Sequence, residues 1–236
     1  MNLKQFFFAL FFISLLLFAN KANSQDWNTF ANTSYFAKAN LELELHTKNN
    51  NRVVFMGNSI TEGWVRLRPE FFKGRDYINR GIGGQTTPQM LLRFRPDVID
   101  LKPKVVVILA GTNDIAGNTG WTSLETIIGN IKSMAELANS NGIKVVISSI
   151  LPAIEYLWKP GLEPSPKIIS INKTLKEYAK ENNFIYLDYF SSMVDDKGGL
   201  KVPEYTAAND LVHPNKAGYA VMEILVEQAI EKALTN

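Results

Sequence analysis

The chain has 236 residues and a formal net charge of +2, and it contains no cysteine. The absence of cysteine excludes disulfide bonds, a thiol nucleophile and a lipid-modified cysteine anchor. The small net charge gives no indication of the clustered basic face that binds nucleic acid. The length is ample for one hydrophobic core and short for two.

The first residues have the pattern of a secretory signal peptide. A charged start precedes an almost unbroken apolar run over residues 6–18, and Ala22-Asn23-Ser24 places small residues at positions −3 and −1 of a cleavage site. A membrane anchor is the alternative, but the run is shorter than the roughly 20 residues that a span needs. We predict a signal peptide over residues 1–24, a single mature domain over residues 25–236 without a stable membrane anchor, and a bacterial-type periplasmic or secreted location.

Beyond this leader, short apolar runs alternate with amphipathic stretches. The early part of residues 27–48 has helical spacing. The short runs predict strands at residues 53–56, 77–79, 105–110, 145–150 and 184–187. Helical spacing recurs at residues 61–72, 87–101, 123–139, 167–181 and 215–234. This alternation predicts an α/β fold with a parallel sheet covered on both faces, and ligands then bind at the carboxyl ends of the strands.

Two long irregular segments follow the last two predicted strands. The first, residues 151–166, contains four prolines, and the second covers residues 189–209. Loops of this length in a compact domain are usually functional or mobile. Because they follow strands whose carboxyl ends carry the predicted site, we expect both segments to overhang it.

Ser59 comes directly after the first predicted strand and Gly57, where a tight turn leads into the next helix. A serine at the start of a helix is commonly only a cap, whereas a serine beside a base can act as a nucleophile. The position alone leaves both interpretations open. The Gly-x-Ser-x-Gly elbow of another hydrolase fold is absent, because Thr61 occupies its last position.

The chain has two histidines, His46 and His213. Asp210 stands three residues before His213, and on a turn this spacing lets the carboxylate accept from Nδ1–H and leaves Nε2 directed at a nucleophile. The alternative is a capping aspartate beside a surface histidine. His46 lies before the first strand, and we expect it to be a solvated residue of the N-terminal helix.

Two polar segments follow the second and third strands. The glycines of residues 79–86 allow a sharp turn that points main-chain N–H groups at a ligand. A phosphate loop is a weak alternative, because the Gly-Lys-Ser/Thr ending is absent. After the third strand, Asn113 offers a side-chain N–H₂ group, although an asparagine there could simply belong to a turn.

These four segments resemble the blocks of the SGNH (GDSL-like) hydrolase family, and the resemblance extends over residues 52–234. The matching blocks are Gly57-Asn58-Ser59-Ile60-Thr61, Asn79-Arg80-Gly81-Ile82-Gly83-Gly84-Gln85-Thr86, Gly111-Thr112-Asn113-Asp114 and Asp210-Leu211-Val212-His213. The glycine block and Lys102-Pro103-Lys104-Val105 are most similar to the platelet-activating-factor acetylhydrolase-like branch.

The resemblance implies a three-layer α/β/α sandwich with a five-stranded parallel sheet, a flavodoxin-like arrangement. It also implies a catalytic triad in which Ser59 is the nucleophile, His213 the base and Asp210 its orienting carboxylate. The implied oxyanion hole consists of the Ser59 N–H, the Gly84 N–H and the Asn113 side chain. One departure is Asn58, where the family usually has aspartate, and this puts the local hydrogen bonding of the serine turn in question.

The implied activity is that of an exported serine esterase acting through an acyl-enzyme on short acyl groups, acetyl first, carried by a small ester or an acetylated glycan. No metal or organic cofactor is required, and Glu62, Asp114 and Glu155 form no convincing metal set. Trp64 and Trp158 are the candidate sugar-binding aromatics, with ordinary packing as the alternative.

The same residues are compatible with two other functions. One is a lysophospholipase or broad lipid esterase, and the other is a non-catalytic glycan-binding protein on the same scaffold. Composition and motifs leave the oligomeric state undetermined.

Overall fold

The computed structural model describes residues 26–45 and 51–235 of the chain. The predicted signal peptide, residues 1–24, and His46 lie outside the described residues. The strands are β1 (Val53–Gly57), β2 (Tyr77–Gly81), β3 (Val105–Leu109), β4 (Lys144–Ser148) and β5 (Ile185–Leu187). Each one coincides with a predicted strand to within two residues at either end.

The five strands form one sheet in the order β2-β1-β3-β4-β5, and all neighbouring pairs are parallel. Helices cover both sides of the sheet, which confirms the predicted α/β/α sandwich. The chain adds β2 on one side of β1 and β3 on the other, so the strand order reverses at β1. A crevice at the carboxyl end of such a switch point is the usual ligand site of an open parallel sheet.

Helices connect the strands, and helices also lie near both ends of the part of the chain that the structure describes. They are α1 (Trp27–Ala31), α2 (Ala37–Leu45), α3 (Ser59–Leu67), α4 (Pro69–Phe72), α5 (Thr87–Phe94), α6 (Thr112–Ile115), α7 (Leu124–Ser140), α8 (Pro164–Glu181), α9 (Tyr189–Met193) and α10 (Lys216–Thr235). A π-helical turn, Arg95–Ile99, continues α5. None of the helices in the described part of the chain combines the length and apolar character of a membrane span.

Two predicted helices are interrupted, and proline explains both interruptions. The helix predicted over residues 61–72 divides at Arg68, whose backbone leaves the helical region immediately before Pro69. The residue before a proline is disfavoured in α conformation, because the proline ring crowds it. The helix predicted over residues 87–101 changes to the wider π turn at Pro96, which has no N–H to donate.

The core lies on both faces of β1 and β3, whose residues are all buried. Val54, Val106 and Val146 are completely inaccessible to solvent. Because central parallel strands are packed on both faces, continuous apolar runs rather than alternating ones mark them in the sequence. The rigid sheet therefore presents the loops after β1 and β3 from fixed positions.

Candidate active site

The serine turn is built by Gly57 and Asn58. Gly57 ends β1, and a Cβ atom there would collide with the hydroxyl of Thr61, so only glycine lets α3 begin this close to the strand. The Asn58 side-chain oxygen accepts from the Ile60 N–H at 3.0 Å and caps α3. The capping role considered for Ser59 thus belongs to Asn58, whose amide oxygen provides an acceptor without a carboxylate. Ser59, the first residue of α3, keeps its hydroxyl for another partner.

That partner is His213. The distance from Ser59 Oγ to His213 Nε2 is 2.9 Å, although 154 residues separate the two in sequence. On the other side of the ring, His213 Nδ1 lies 2.8 Å from Asp210 Oδ1 and 3.1 Å from Oδ2. We assign the Nδ1–H tautomer, because the carboxylate can only accept there, and this leaves Nε2 to accept the serine proton.

Short-range hydrogen bonds hold the histidine turn. Asp210 Oδ1 also accepts from the main-chain N–H of His213 at 2.9 Å and of Val212 at 3.2 Å. The Thr206 hydroxyl donates to the His213 carbonyl at 2.8 Å. The following Asn215 caps α10 by accepting from Ala217 N–H and Gly218 N–H. Imidazole and carboxylate therefore keep their mutual geometry through a compact local motif.

The pKa of Asp210 lies below its ordinary value. Burial by itself raises this pKa, but the main-chain and side-chain donors of His213, together with Val212, outweigh the effect of burial. Both side chains are 37% exposed. An ionised carboxylate is consequently maintained beside the ring, as needed to stabilise an imidazolium during proton transfer.

The glycine block forms a tight turn next to Ser59. The Gln85 N–H donates to the Ile82 carbonyl at 3.4 Å, and Gly84 has a φ of +74°. A positive φ at the third residue of such a turn favours glycine. The Gly84 N–H takes no part in the turn's hydrogen bond. A Cβ atom on the preceding Gly83 would lie 4.0 Å from Ser59 Cβ, so the turn packs directly against the serine.

Asn113 comes from α6 at the end of β3, and its side chain is buried. Its Nδ2 donates to the Gln85 carbonyl at 2.9 Å. Because the amide carries two N–H bonds, one is anchored to the glycine block and the other remains for an oxyanion. The structure thus brings together the turn of Gly84 and Asn113, two of the three predicted donor positions.

Asp114, the next residue, is buried and faces α5. Its carboxylate accepts from the Thr87 N–H at 2.9 and 3.0 Å and from the Thr87 hydroxyl at 2.6 Å. Burial raises the pKa of Asp114 to about 6, while the hydrogen bonds from Thr87 oppose the rise. This contact joins the Asn113 segment to the helix that follows the glycine block.

Both long loops reach the segments that carry site residues. Tyr156 places its hydroxyl 2.9 Å from the Thr112 hydroxyl, and the Lys159 ammonium donates to the Gly117 carbonyl at 3.3 Å. The other loop contributes Thr206, which contacts the His213 main chain. These contacts place residues of both loops at the carboxyl-terminal edge of the sheet, beside the segments that carry Asn113 and His213.

The expectation that Trp64 binds substrate is wrong. Trp64 is 2% exposed, its indole stacks on Phe71 and Tyr219, and its Nε1–H donates to Glu223. The Trp64 side chain therefore points into the core. Its ring stabilises α3 instead of facing a ligand. Trp158, in contrast, is 47% exposed and stacks on Tyr156.

Sequence reasoning gave no role to Gln85 or Arg93, both of which are buried beneath the glycine turn. The Arg93 Nε–H donates to Gln85 Oε1 at 2.5 Å. A signal for Arg93 existed, because it lies on the same helical face as the apolar residues Met90 and Phe94. A charged residue on an apolar helix face indicates a buried ion pair or network.

With this geometry in place, comparison with known proteins identifies the class. The chain matches the GDSL-like Lipase/Acylhydrolase family over residues 55–221. It therefore belongs to this family of ester hydrolases. A GDSL-like lipase from Bacteroides thetaiotaomicron superposes with a TM-score of 0.82 at 51% identity, covering 86% of this chain and 99% of that one.

Two curated relatives extend the similarity. The human platelet-activating factor acetylhydrolase IB subunit alpha2 is 28% identical over 201 residues, which are 78% of this chain and 81% of the relative. The uncharacterized lipoprotein YqeF of Bacillus subtilis is 29% identical over 195 residues, covering 69% of this chain and 80% of the relative. The family resemblance seen in the four sequence blocks is thereby confirmed.

Proposed function

We propose that this protein is an exported serine esterase that removes short acyl groups, acetyl first, from carbohydrate. The observation that carries the proposal is the unbroken relay from Ser59 Oγ to His213 Nε2, at 2.9 Å, and from His213 Nδ1 to Asp210, at 2.8 Å. A serine hydroxyl is a weak nucleophile until such a base accepts its proton. The family's ester chemistry supplies the reaction class.

In this mechanism Ser59 Oγ attacks the ester carbonyl carbon while its proton passes to His213 Nε2. The carbonyl oxygen becomes an oxyanion that accepts from the Ser59 N–H, the Gly84 N–H and the second Asn113 N–H. Collapse of the intermediate breaks the ester bond, and His213 returns the proton to the departing alcohol. Water then attacks the acyl-enzyme and gives a proton to His213. As the bond between the acyl carbon and Ser59 Oγ breaks, His213 returns this proton to Ser59 Oγ, and the carboxylic acid is released.

The Ser59→Ala variant tests the nucleophile. We expect its hydrolysis of p-nitrophenyl acetate to fall by about 10³-fold or more, because the relay loses its attacking atom. The matched control is Ser191→Ala, which removes an exposed hydroxyl whose hydrogen bond goes to Asp188. Circular dichroism should show both variants folded. Unchanged turnover in Ser59→Ala would exclude the serine mechanism.

Support for a carbohydrate comes from the aromatic and polar surface beside the end of α6. A cavity of about 400 Å³ adjoins Gly117 and is bordered by Trp121, Lys159 and Lys167. The Trp121 side chain is 90% exposed. Flat indole faces and ammonium donors suit the faces and oxygens of sugar rings. Trp121 borders this cavity, and Trp158, the neighbour of Lys159, stacks on Tyr156 in the same loop. We assign substrate binding to both residues.

Tryptophan variants test the carbohydrate assignment. Trp121→Ala and Trp158→Ala should each raise KM for acetylated xylooligosaccharides several-fold and have a smaller effect on p-nitrophenyl acetate, which has no sugar ring. Trp27→Ala, at an indole that is 60% exposed on α1, is the matched control and should change neither. Equal KM values in all three variants would remove both residues from the substrate site.

A lipid ester is the second candidate, and the relative named platelet-activating factor acetylhydrolase favours it. The two candidates are separated by a chain-length series of p-nitrophenyl esters, run beside acetylated xylan, pectin fragments and lysophospholipid. Preference for the two-carbon ester with acetate release from a glycan supports the proposal. If the enzyme instead prefers long-chain esters and hydrolyses lysophospholipid, the lipid-esterase function replaces the carbohydrate-esterase function.

Export is part of the proposal and rests on the charged, apolar and small-residue pattern of residues 1–24. Expression of the full chain in a bacterial host, followed by fractionation and N-terminal sequencing, tests it. We expect the mature protein to begin at Gln25 in the periplasm or medium. An uncleaved chain retained in the cytoplasm would contradict this part of the proposal without affecting the chemistry.

A further inference from the structure

A buried glutamine connects the oxyanion turn to three other parts of the molecule. The Gln85 side chain is 3% exposed. Its Nε2 donates to the Ala31 carbonyl at 2.7 Å, and its Oε1 accepts from Arg93 Nε at 2.5 Å. Its main-chain carbonyl accepts from Asn113 Nδ2 at 2.9 Å. The residue directly after Gly84 is therefore held at both ends of its side chain and at its main chain.

Arg93 anchors this glutamine to the sheet. Its guanidinium is completely buried, pairs with Asp97 at 2.9 Å, and donates to the carbonyls of Gly57 at 3.1 Å and Arg80 at 2.9 Å. These carbonyls lie at the carboxyl ends of β1 and β2, where the serine turn and the glycine turn begin. A planar guanidinium with fixed donors can hold several acceptors in one geometry.

The N-terminal segment, residues 26–45, completes the arrangement. Besides Ala31, it contributes the Phe30 carbonyl, which accepts from Gln89 Nε2 at 2.7 Å, while Gln89 Oε1 accepts from the Thr86 N–H at 2.9 Å. Asn40 accepts from the Arg80 guanidinium and donates to Asp97 at 2.8 Å. All of these N-terminal residues precede the family-matched region, which starts at residue 55.

We propose that Gln85 is a positioning residue for the oxyanion hole, and that the N-terminal segment acts through it as a working part of the active site. The inference rests on the proposed function. Oxyanion donors accelerate the reaction only when they are preorganised at the place where charge develops. Because the Gln85 main chain touches Asn113 and directly follows Gly84, displacement of Gln85 moves both donors together.

The test compares two buried amides. Gln85→Met keeps the length of the side chain and removes both of its hydrogen bonds. The matched control is Asn172→Leu, since Asn172 is also a buried amide whose side chain bonds both ways to a loop, accepting from the Ile150 N–H and donating to the Ile150 carbonyl. Thermal unfolding and the kcat and KM for p-nitrophenyl acetate are measured for both variants.

We expect both variants to lose similar thermal stability, but only Gln85→Met to lose kcat, by about 10- to 100-fold, with KM changed less than threefold. Loss of an interaction made only in the transition state has this signature. If Gln85→Met and Asn172→Leu show the same kcat at comparable stability, the positioning role is wrong. If Ser59→Ala remains active, the proposed function fails instead, so the two failures are distinguishable.

Gln85→Glu separates the N-terminal contact from the Arg93 contact. The carboxylate still accepts from Arg93, but it cannot donate to the Ala31 carbonyl. We expect a kcat about 3- to 10-fold below that of the original protein and above that of Gln85→Met. If Gln85→Met does not fold, this variant alone decides the point. A kcat equal to that of the original protein would show that the N-terminal segment does not act through Gln85.

Discussion

The acid–base half of the candidate site and its oxyanion half are held in different ways. His213 and Asp210 are each more than a third exposed, and the bonds that orient them join residues within the same turn. Gln85, which directly follows Gly84, and Asn113 belong to a buried network that joins distant segments of the chain. An imidazole needs one carboxylate to set its tautomer, which a short motif can provide. Converging N–H donors need several chain segments at once.

The largest expected loss of kcat comes from a change in the acid–base half of the site, at Asp210. Asp210→Asn should lower kcat for p-nitrophenyl acetate by about 10³- to 10⁴-fold, because an amide no longer stabilises the imidazolium or enforces the tautomer. The turn should survive, since an amide oxygen can still accept from the main chain. Asp188→Asn is the control, as Asp188 also accepts from a nearby N–H and hydroxyl. A loss below tenfold in Asp210→Asn would contradict the assigned role.

The oxyanion half is probed by Asn113→Ala, which removes one donor. We expect kcat to fall by about 10²- to 10³-fold with little change in KM, since the lost bond strengthens only in the transition state. Asn118→Ala provides the comparison, because that exposed amide donates to the Gly84 carbonyl at 3.1 Å but is not itself a proposed donor. A similar loss in both variants would mean that loop position, rather than the Asn113 amide, determines the rate.

The buried network also predicts how stability depends on pH. Burial raises the pKa of Asp114 from 3.8 to about 6, so the folded protein retains a proton that the unfolded chain releases in this interval. Its contribution to stability is therefore full below pH 3.8 and is lost as the pH rises through 6. This loss amounts to about 3 kcal/mol. The pKa of Asp210 is lowered, so its contribution has the opposite sign and is lost on acidification.

Chemical denaturation of the original protein and of Asp114→Asn, at pH 4 and pH 7, measures this contribution. Between pH 4 and pH 7, we expect the free energy of unfolding of the original protein to fall by about 2 kcal/mol relative to that of Asp114→Asn, because pH 4 already lies slightly above the unfolded pKa. Asp210 is present in both proteins, so its effect cancels in the difference. A difference that does not vary with pH would show that the Asp114 carboxyl does not titrate in this range.

The smallest effect is expected at Thr206, a completely buried residue whose hydroxyl donates to the His213 carbonyl. Thr206→Val should cost about 1 kcal/mol of stability, because one hydrogen bond is lost without a change in shape. The kcat should change less than threefold, since Asp210 still orients the ring. Thr235→Val, at an exposed hydroxyl near the end of α10, is the control. A tenfold loss of kcat in Thr206→Val would show that the local motif is not self-sufficient.

Local chemistry made much of this molecule predictable. The apolar runs that became β1 and β3 are continuous because both faces of a central parallel strand are packed. The predicted helices over residues 61–72 and 87–101 ran through Pro69 and Pro96, and the structure interrupts both of them there. Their outcome differed, a new helix in one case and a π turn in the other, because the neighbouring packing decides how a proline is accommodated.

Side-chain direction was the less predictable part. Trp64 was expected to bind substrate, but it stacks in the core, since helical spacing defines a face without showing whether that face meets the core or the solvent. The burial of Arg93 was not predicted, and a charged residue usually remains in water. It is buried here because Asp97, Gln85 and two main-chain carbonyls together satisfy its donors.

By itself, the sequence determined the strand runs, the glycine turn and the Asp210–His213 spacing, because these features depend on neighbours within a few residues. The tertiary structure alone decided that Ser59 meets His213 across 154 residues and that Gln85 joins Ala31, Arg93 and Asn113. Contacts of this kind depend on strand order and on how helices pack against the sheet. No local pattern specifies the strand order or the helix packing, because each is set by the burial of the whole core.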